Sequence, residues 1–333
     1  MAKGATNAAL FSPSVLDSFE LTETVTSGGF APHSLIHSFI HTCTAFLKFV
    51  SMIPAVILQQ TGLHPTAAVP VSGGDINQCW RLEVNGGPVF LKFNQAAPFP
   101  GMLQQEAAGL NQLRKGLAVV PQVLQYGEAD QWQYLFLSWI AQEPSGPRFW
   151  EAAGRALAEL HRCSAPAFGQ MPDNYIGRLP QRNPDHPDWP SFYAQVRILP
   201  LVGQLVEQGA LDASALRQAE QCCNRLPHLF PEEPPALLHG DLWSGNICCT
   251  TGQQPALFDP AVYYGHREMD LGMTLLFGGF HSRFYDAYAE CYPPEKNWRR
   301  RLPLTQLYPL VVHACLFGGH YITEVRSILR KEG

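Results

Sequence analysis

The sequence predicts an α+β fold of two lobes, a small antiparallel-sheet lobe with one key helix and a larger, mostly helical lobe. Three observations predict it. Strand-like apolar runs and turn signals crowd residues 52–139. Pro144, Gly146 and Pro147 then interrupt the chain, and beyond Phe149 apolar residues recur mostly at helical spacing. The expected organisation is an atypical segment 1–51, a sheet lobe 52–139, a linker 140–147 and a helical lobe 148–333.

The first 51 residues are rich in Ser, Thr, Ala and Phe, and no helix or strand period persists. Leu35–Leu58 is apolar, but His37, His41, Lys48 and Pro54 interrupt it, and a charge at mid-span is costly in a bilayer. No signal-peptide pattern is present either. The expectation is a poorly ordered extension or a start assigned too far upstream, since Met52 opens the first well-patterned segment. No membrane partner is expected.

Within the sheet lobe, Ile53–Gln60 reads as a short helix. The stretch from Val71 through Gly73, Gly74 and Asn77 leads into a strand, Cys79–Val84, and Asn85-Gly86-Gly87 signals a hairpin. A turn holding Gly73 and Gly74 could bring backbone N–H groups against phosphates with no side chain in the way, although taken by itself the plain hairpin is the favoured reading. The next strand, Pro88–Asn94, puts Val89, Leu91 and Phe93 on one face and Phe90 and Lys92 on the other. A helix over Met102–Leu113 follows, with Leu103, Glu106, Leu110 and Leu113 on one stripe. A carboxylate on the apolar side needs a partner, and Lys92 is the natural one. Val119–Tyr126, a turn at Glu128–Asp130 and Trp132–Trp139 complete the sheet, with Ser138, Trp139 and Ile140 as the connector.

In the helical lobe, Phe149–His161 is amphipathic, and His161 at its end reads as a cap. The polar and aromatic run Asp173–Arg197 has no spacing that assigns it a role. Asp270 reads as the N-cap of a helix Leu271–Phe277 and as a brace for the loop before it. Helices near Phe284–Tyr292 and Leu307–Tyr321 close the lobe.

Between these helices lies His239-Gly-Asp-Leu-Trp-Ser-Gly-Asn246, followed by Leu257-Phe-Asp-Pro260. It offers Asp241, an asparagine five residues on and a second aspartate, Asp259, 18 residues after the first. Phosphoryl transfer from ATP uses such a set: a carboxylate to orient a hydroxyl and accept its proton, and an amide and a carboxylate oxygen for Mg²⁺. The kinase pattern H-R-D-x-x-x-x-N followed by D-F-G has the same order. Gly240 in place of the arginine and Pro260 in place of the glycine point to small-molecule kinases of that fold. No A-P-E segment follows, which argues against a protein kinase.

Composition narrows the partners. The chain is 46% hydrophobic and 15% charged with a formal charge of −5, and Arg299–Arg301 is a short solvated run, so no nucleic-acid partner is expected. Nine cysteines without a C-x-x-C pair read as reduced thiols of a cytoplasmic protein.

From about Met52 to the C-terminus the chain resembles the fructosamine kinase, or ketosamine-3-kinase, family, within the aminoglycoside-phosphotransferase and choline-kinase group of the protein-kinase-like fold. The resemblance is carried by Gly73–Asn77, Phe90–Lys92, Glu106–Leu110, Phe168-Gly169, Asp173-Asn174, Ile176-Gly177, Gln181 with Asn183, Trp189–Tyr193, His239–Asn246, Asp259-Pro260, Tyr264–Glu268, Phe277–Gly279, His313 and Leu316–Tyr321. It implies ATP-dependent phosphorylation of the 3-hydroxyl of a ketosamine, free or protein-bound, in deglycation repair; a monomer is the separate expectation for the oligomeric state. Asp241 would be the base, Asn246 and Asp259 the Mg²⁺ ligands, and Lys92 and Glu106 the phosphate-setting pair. Residues around Trp139 would hold adenine, and Trp243, His239, His266 and Glu268 are candidate substrate contacts. Eukaryotic relatives can carry a redox-active cysteine in the glycine-rich turn; Asp75 stands here, so that switch is not expected. A kinase of another small alcohol (an aminoglycoside, choline or a methylthio-sugar) is the competing enzyme reading. An ATP-binding pseudokinase is the competing non-enzyme.

Overall fold

The computed structural model describes residues 52–72, 76–116 and 119–333, so the expectations for 1–51, Gly73, Gly74 and Asp75 fall outside the described residues. Helix α1 (Ala55–Thr61) ends at Gly62, whose φ of +68° closes the last turn. Strand β1 (Ala67–Pro70) pairs with β2 (Gln78–Val84), and Val84 pairs with Gly87 across a two-residue turn into β3 (Gly87–Gln95). Helix α2 (Met102–Lys115) follows, then β4 (Val123–Ala129) and β5 (Trp132–Ser138). The five strands form one antiparallel sheet in the order β1-β2-β3-β5-β4.

Two details differ from the sequence reading. The β4–β5 turn is Asp130–Gln131 rather than Glu128–Asp130, because Ala129 already pairs with Trp132 and the left-handed φ of +54° falls on Asp130, a residue type that tolerates it. Strand β4 starts at Val123, after Pro121. Val119 instead bridges to Ala256, and its carbonyl accepts from the Leu257 N–H at 2.7 Å.

The helical lobe begins with α3 (Pro147–Arg162), two residues earlier than periodicity suggests; proline suits a first turn, where its missing N–H goes unneeded. The polar run after it folds into the hairpin β6 (Asn174–Ile176) and β7 (Leu179–Gln181), then α4 (Trp189–Phe192), capped by Asp188. A π-helical turn, Tyr193–Ile198, leads into α5 (Leu199–Glu207), and α6 (Ala213–Leu229) follows. Strands β8 (Ala236–Leu238), β9 (Ile247–Thr250), β10 (Gln254–Leu257) and β11 (Tyr263–Gly265) form two short ribbons, β8 with β11 and β9 with β10.

Helices α7 (Glu268–Leu276), α8 (Ser282–Cys291), α9 (Leu302–Phe317) and α10 (His320–Glu332) complete the lobe. The single helix expected over Leu307–Tyr321 is two, broken where Gly318 and Gly319 take φ of +64° and +59°. No described helix is long and apolar enough to cross a membrane.

Three apolar clusters hold these elements. One lies under the sheet (Ile57, Leu82, Leu91, Phe93, Phe136) and one inside the helical lobe (Phe192, Ile198, Val311, Leu329). The third joins Leu103, Leu110 and Leu135 of the sheet lobe to Leu157, Leu237, Leu242 and Leu257 of the other. Each such buried aliphatic side chain contributes about 1.5–3 kcal/mol, so this seam fixes the sheet-lobe lysine against the loop that begins at His239.

Candidate active site

Lys92 lies in mid-strand in β3, between Cys79 of β2 and Leu135 of β5 in register. Its side chain leaves the sheet toward α2, and the ammonium donates to Glu106 Oε1 at 2.8 Å and to Asp259 Oδ1 at 2.6 Å. Burial opposes its charge, but the carboxylates of Asp259 and Glu106 outweigh burial and hold its pKa above the ordinary lysine value. One cation thus joins the sheet, the inner face of α2 and the segment after β10.

Asp259 ends β10's run with φ of +53°, the left-handed region that aspartate enters more readily than most residues. Its side chain stays 44% exposed. Asn246 follows Asp241 through a short 3₁₀ turn, Ser244–Asn246. The Asn246 amide donates to the Asp241 carbonyl at 2.9 Å, to Asp241 Oδ2 at 3.2 Å and to the Asp259 carbonyl at 3.4 Å. That amide therefore ties the two aspartates together. Burial, and next the neighbouring Asp259 carboxylate, push the Asp241 carboxyl up to about 7, so it can take up a proton near neutral pH.

The loop's shape is set by Asp270. Its Oδ2 accepts from the His239 backbone N–H at 2.8 Å and its Oδ1 from the Gly240 N–H at 3.0 Å. It sits inside the first turn of α7 rather than capping it, so of the two roles read from sequence the brace is the one seen. His161 joins this network instead of capping α3, with Nε2 3.2 Å from Asp270 Oδ2 and Nδ1 2.9 Å from the Tyr288 hydroxyl. Gly240 has φ of +83°, and a Cβ there would lie 2.0 Å from the Ala261 carbonyl oxygen, so no side chain fits. A kinase-type arginine is excluded at this position for that reason.

The remaining expected residues separate. His239 is fully buried, with Nε2 donating to the Phe258 carbonyl at 3.0 Å and Nδ1 accepting from the Asp241 N–H at 3.3 Å. It links the Asp241 loop to the strand ahead of Asp259. His266 and Glu268 are buried away from this cluster; Glu268 is held by Arg301, and His266 lies 3.7 Å from Glu233. Trp243 is 39% exposed beside the loop. Ser138 uses both its N–H and its hydroxyl on Gln122. Trp139 lies against Phe90, with the Arg81 guanidinium 4.9 Å over its ring.

Sequence reasoning placed Asn174 and Gln181 of the polar run among the motifs of the resemblance but gave them no role, and it is here that they support the site. Asn174 donates to the Val262 carbonyl at 2.7 Å, Gln181 to the Ala261 carbonyl at 3.0 Å, and Tyr308 donates to Gln181 Oε1 at 2.8 Å. Together they pin the backbone that follows Asp259. Their signal in the sequence is only a set of amides between turns, which spacing cannot interpret.

The donor set fits a hard divalent cation. Asn246 and Asp259 offer oxygen ligands of the kind Mg²⁺ prefers, and positive charge there would relieve the repulsion between Asp241 and Asp259. Among the described residues no cluster of three or more His, Cys, Asp or Glu could hold an ion alone. A cation here would draw its other oxygens from phosphate and water.

A strand lysine paired to a helix glutamate, with an Asp–Asn loop and a second aspartate between two lobes, defines a phosphotransferase of the protein-kinase-like fold. The fructosamine kinase family model matches residues 50–332, and the chain belongs to that family. A protein of Enterococcus faecium designated "probable ketoamine kinase" is 38% identical over 265 residues, covering 78% of this chain and 93% of that one. The crystal structure of a candidate fructosamine-3-kinase from Thermobifida fusca superposes with a TM-score of 0.77 at 37% identity, covering 84% and 98% of the two chains. A thermostable mutant of the aminoglycoside phosphotransferase APH(4)-Ia shares the fold at 14% identity, with a TM-score of 0.57 over 84% of this chain and 98% of that one.

Proposed function

We propose that this enzyme transfers the γ-phosphoryl group of ATP to the 3-hydroxyl of a ketosamine, the Amadori adduct of a sugar and an amine. The observation that carries the reading is the Lys92 ammonium held between Glu106 and Asp259, beside the Asp241–Asn246 loop. Support for the acceptor comes from relatives designated ketoamine kinases, and support for the nucleotide from APH(4)-Ia, crystallised with ADP and hygromycin B.

In this reading Asp241 orients the acceptor hydroxyl and takes its proton as the oxygen attacks the γ-phosphorus. The bond from that phosphorus to the β,γ-bridging oxygen breaks, and ADP leaves. Lys92 holds the α- and β-phosphates, Glu106 holds Lys92, and the backbone at Trp139 and Ile140 meets adenine. Asn246 and Asp259 hold Mg²⁺, which when bound neutralises phosphate charge. Gly73 and Gly74, which lie outside the described residues, are assigned to the phosphates from the sequence alone. A monomer in the cytoplasm suffices for this chemistry.

The 3-phosphate explains a repair role. Enolisation toward the amine-bearing carbon makes the C3 phosphate an allylic leaving group; its loss followed by hydrolysis frees the amine. The experiment is NMR of the product from ATP and fructosyl-lysine. Phosphorus coupled to the C3 proton, followed by release of inorganic phosphate and lysine, supports the proposal. A stable phosphate on another carbon would overturn it.

A further inference from the structure

The described surface exposes few large apolar side chains, yet three aromatic ones lie on a single strip beside the catalytic loop. Trp243, Phe277 and Phe317 are 39%, 40% and 55% exposed. The strip starts two residues beyond Asp241. Trp243 meets Phe277 edge-on with ring centroids 6.4 Å apart, and Phe277 meets His313 at 5.0 Å. His313 then contacts Phe317 at 5.6 Å and Tyr321 at 5.0 Å. A soluble protein does not leave such a contiguous apolar surface open without a use for it.

The strip is built rather than incidental. A Cβ on Gly245 would lie 2.2 Å from the Trp243 indole, so the ring rests on a bare backbone that fixes its pose. Gly279 has φ of +92°, and a Cβ there would come within 2.7 Å of the Ser244 side chain, so the segment carrying Phe277 passes tightly over the catalytic loop. The left-handed Gly318 and Gly319 turn α9 into α10, which brings Tyr321 back against Phe317 at 6.3 Å. Burial holds the His313 pKa below the ordinary histidine value, while its Nδ1 donates to the Pro309 carbonyl at 2.7 Å. The middle of the strip is therefore an uncharged ring.

These features specify an occupant. The acceptor hydroxyl has to reach Asp241, and the strip runs away from that point, continuous with the site. Among the described residues no lysine or arginine lies over these rings, and the His320 ring lies against Tyr321 at 3.9 Å, at the far end of the strip, so the Trp243 and Phe277 faces suit a cationic nitrogen carried on hydrocarbon. Resting on the ketosamine reading above, we infer that Trp243, Phe277, His313, Phe317 and Tyr321 form the subsite for the amine half of the acceptor. The secondary ammonium lies near Trp243 and Phe277, and an aliphatic stem of the lysine type lies along Phe317 and Tyr321. The enzyme is thereby selective for ketosamines of extended alkyl amines over those of short ones.

The test compares two adducts of the same sugar, one on methylamine and one on Nα-acetyl-lysine, by kcat/KM for the wild type and for Phe317→Ala, Tyr321→Ala and Phe317→Leu. The expected wild-type preference is for the lysine adduct, expressed through KM. Phe317→Ala and Tyr321→Ala should each lower the ratio of the two kcat/KM values at least tenfold, and Phe317→Leu should recover part of it by restoring apolar area. A ratio that stays put, including one in which both substrates lose equally through a folding defect, overturns the inference. Turnover of the methylamine adduct shows separately that the ketosamine reading stands; if neither adduct reacts with the wild type, both readings fall.

Discussion

The Lys92 ammonium lies 2.6 Å from Asp259 Oδ1, although 167 residues of chain separate the two. With Glu106 on its other side, the lysine is held where phosphate oxygens are expected to arrive. In the proposed mechanism a nucleotide phosphate would replace or share one of these carboxylate partners.

Lys92→Met should therefore weaken turnover by about 10²–10³-fold, the usual cost of removing one preorganised charge at a reacting group. The loss should be seen mainly in kcat/KM for ATP in steady-state assays. A drop in thermal stability is also expected, because Glu106 is left buried without its cation.

Asp270 carries the shape of the catalytic loop through two backbone N–H groups and His161. Asp270→Ala leaves those donors unpaired in the interior, at a cost of about 3 kcal/mol or more. Thermal unfolding should show a fall of several degrees. Asp270→Asn, which keeps the shape but only one acceptor oxygen, should fall between it and the wild type.

Asp241 gives a pH dependence of defined sign. With its carboxyl pushed up to about 7, kcat/KM should rise with pH through that region and level off above it, since in the proposed mechanism Asp241 accepts a proton as the carboxylate. For stability the direction reverses. The folded state binds this proton more tightly than the unfolded chain, so between about pH 4 and 7 stability falls as pH rises. Asp241→Asn should therefore be more stable than the wild type at pH 8, by about 1 kcal/mol once access of water to this half-buried group is allowed for. Denaturant unfolding of the nucleotide-free proteins measures it.

Arg197 is buried at 1% exposure, packed over Phe192, Tyr263 and Tyr308 and donating to Asn183 Oδ1 at 2.6 Å and to the Arg182 carbonyl at 2.5 Å. Arg197→Leu leaves those acceptors unpaired and should cost about 3 kcal/mol or more. The loss should appear first in the unfolding midpoint, because the direct partners of Arg197 all lie in the helical lobe.

Much of the site was legible because its chemistry is carried by short local patterns. Lys92 stood out as a charge inside an apolar strand, Glu106 as a carboxylate on an apolar helix stripe, and Asp241, Asn246 and Asp259 by order and spacing. The structure brings these five together. What was not legible depends on contacts between distant segments. Asn174 and Gln181 look like loop amides until the hairpin sets them against Ala261 and Val262. His266 and Glu268 look like site residues because they follow the motif closely, yet the start of α7 turns them into the interior, against Glu233 and Arg301. The α9–α10 break was missed because apolar periodicity continues across it while Gly318 and Gly319 reverse the chain.

The central claim is a ketosamine kinase that uses Asp241 as its base. It is tested most directly by ATP consumption with purified protein and Mg²⁺ on lysine adducts of fructose, ribose and erythrulose, with choline and kanamycin beside them and Asp241→Asn as the blank. The account predicts turnover on one or more ketosamines alone, lost by about 10²–10⁴-fold in Asp241→Asn with ATP still bound. Turnover only on choline or kanamycin, or an Asp241→Asn protein as active as the wild type, would contradict it.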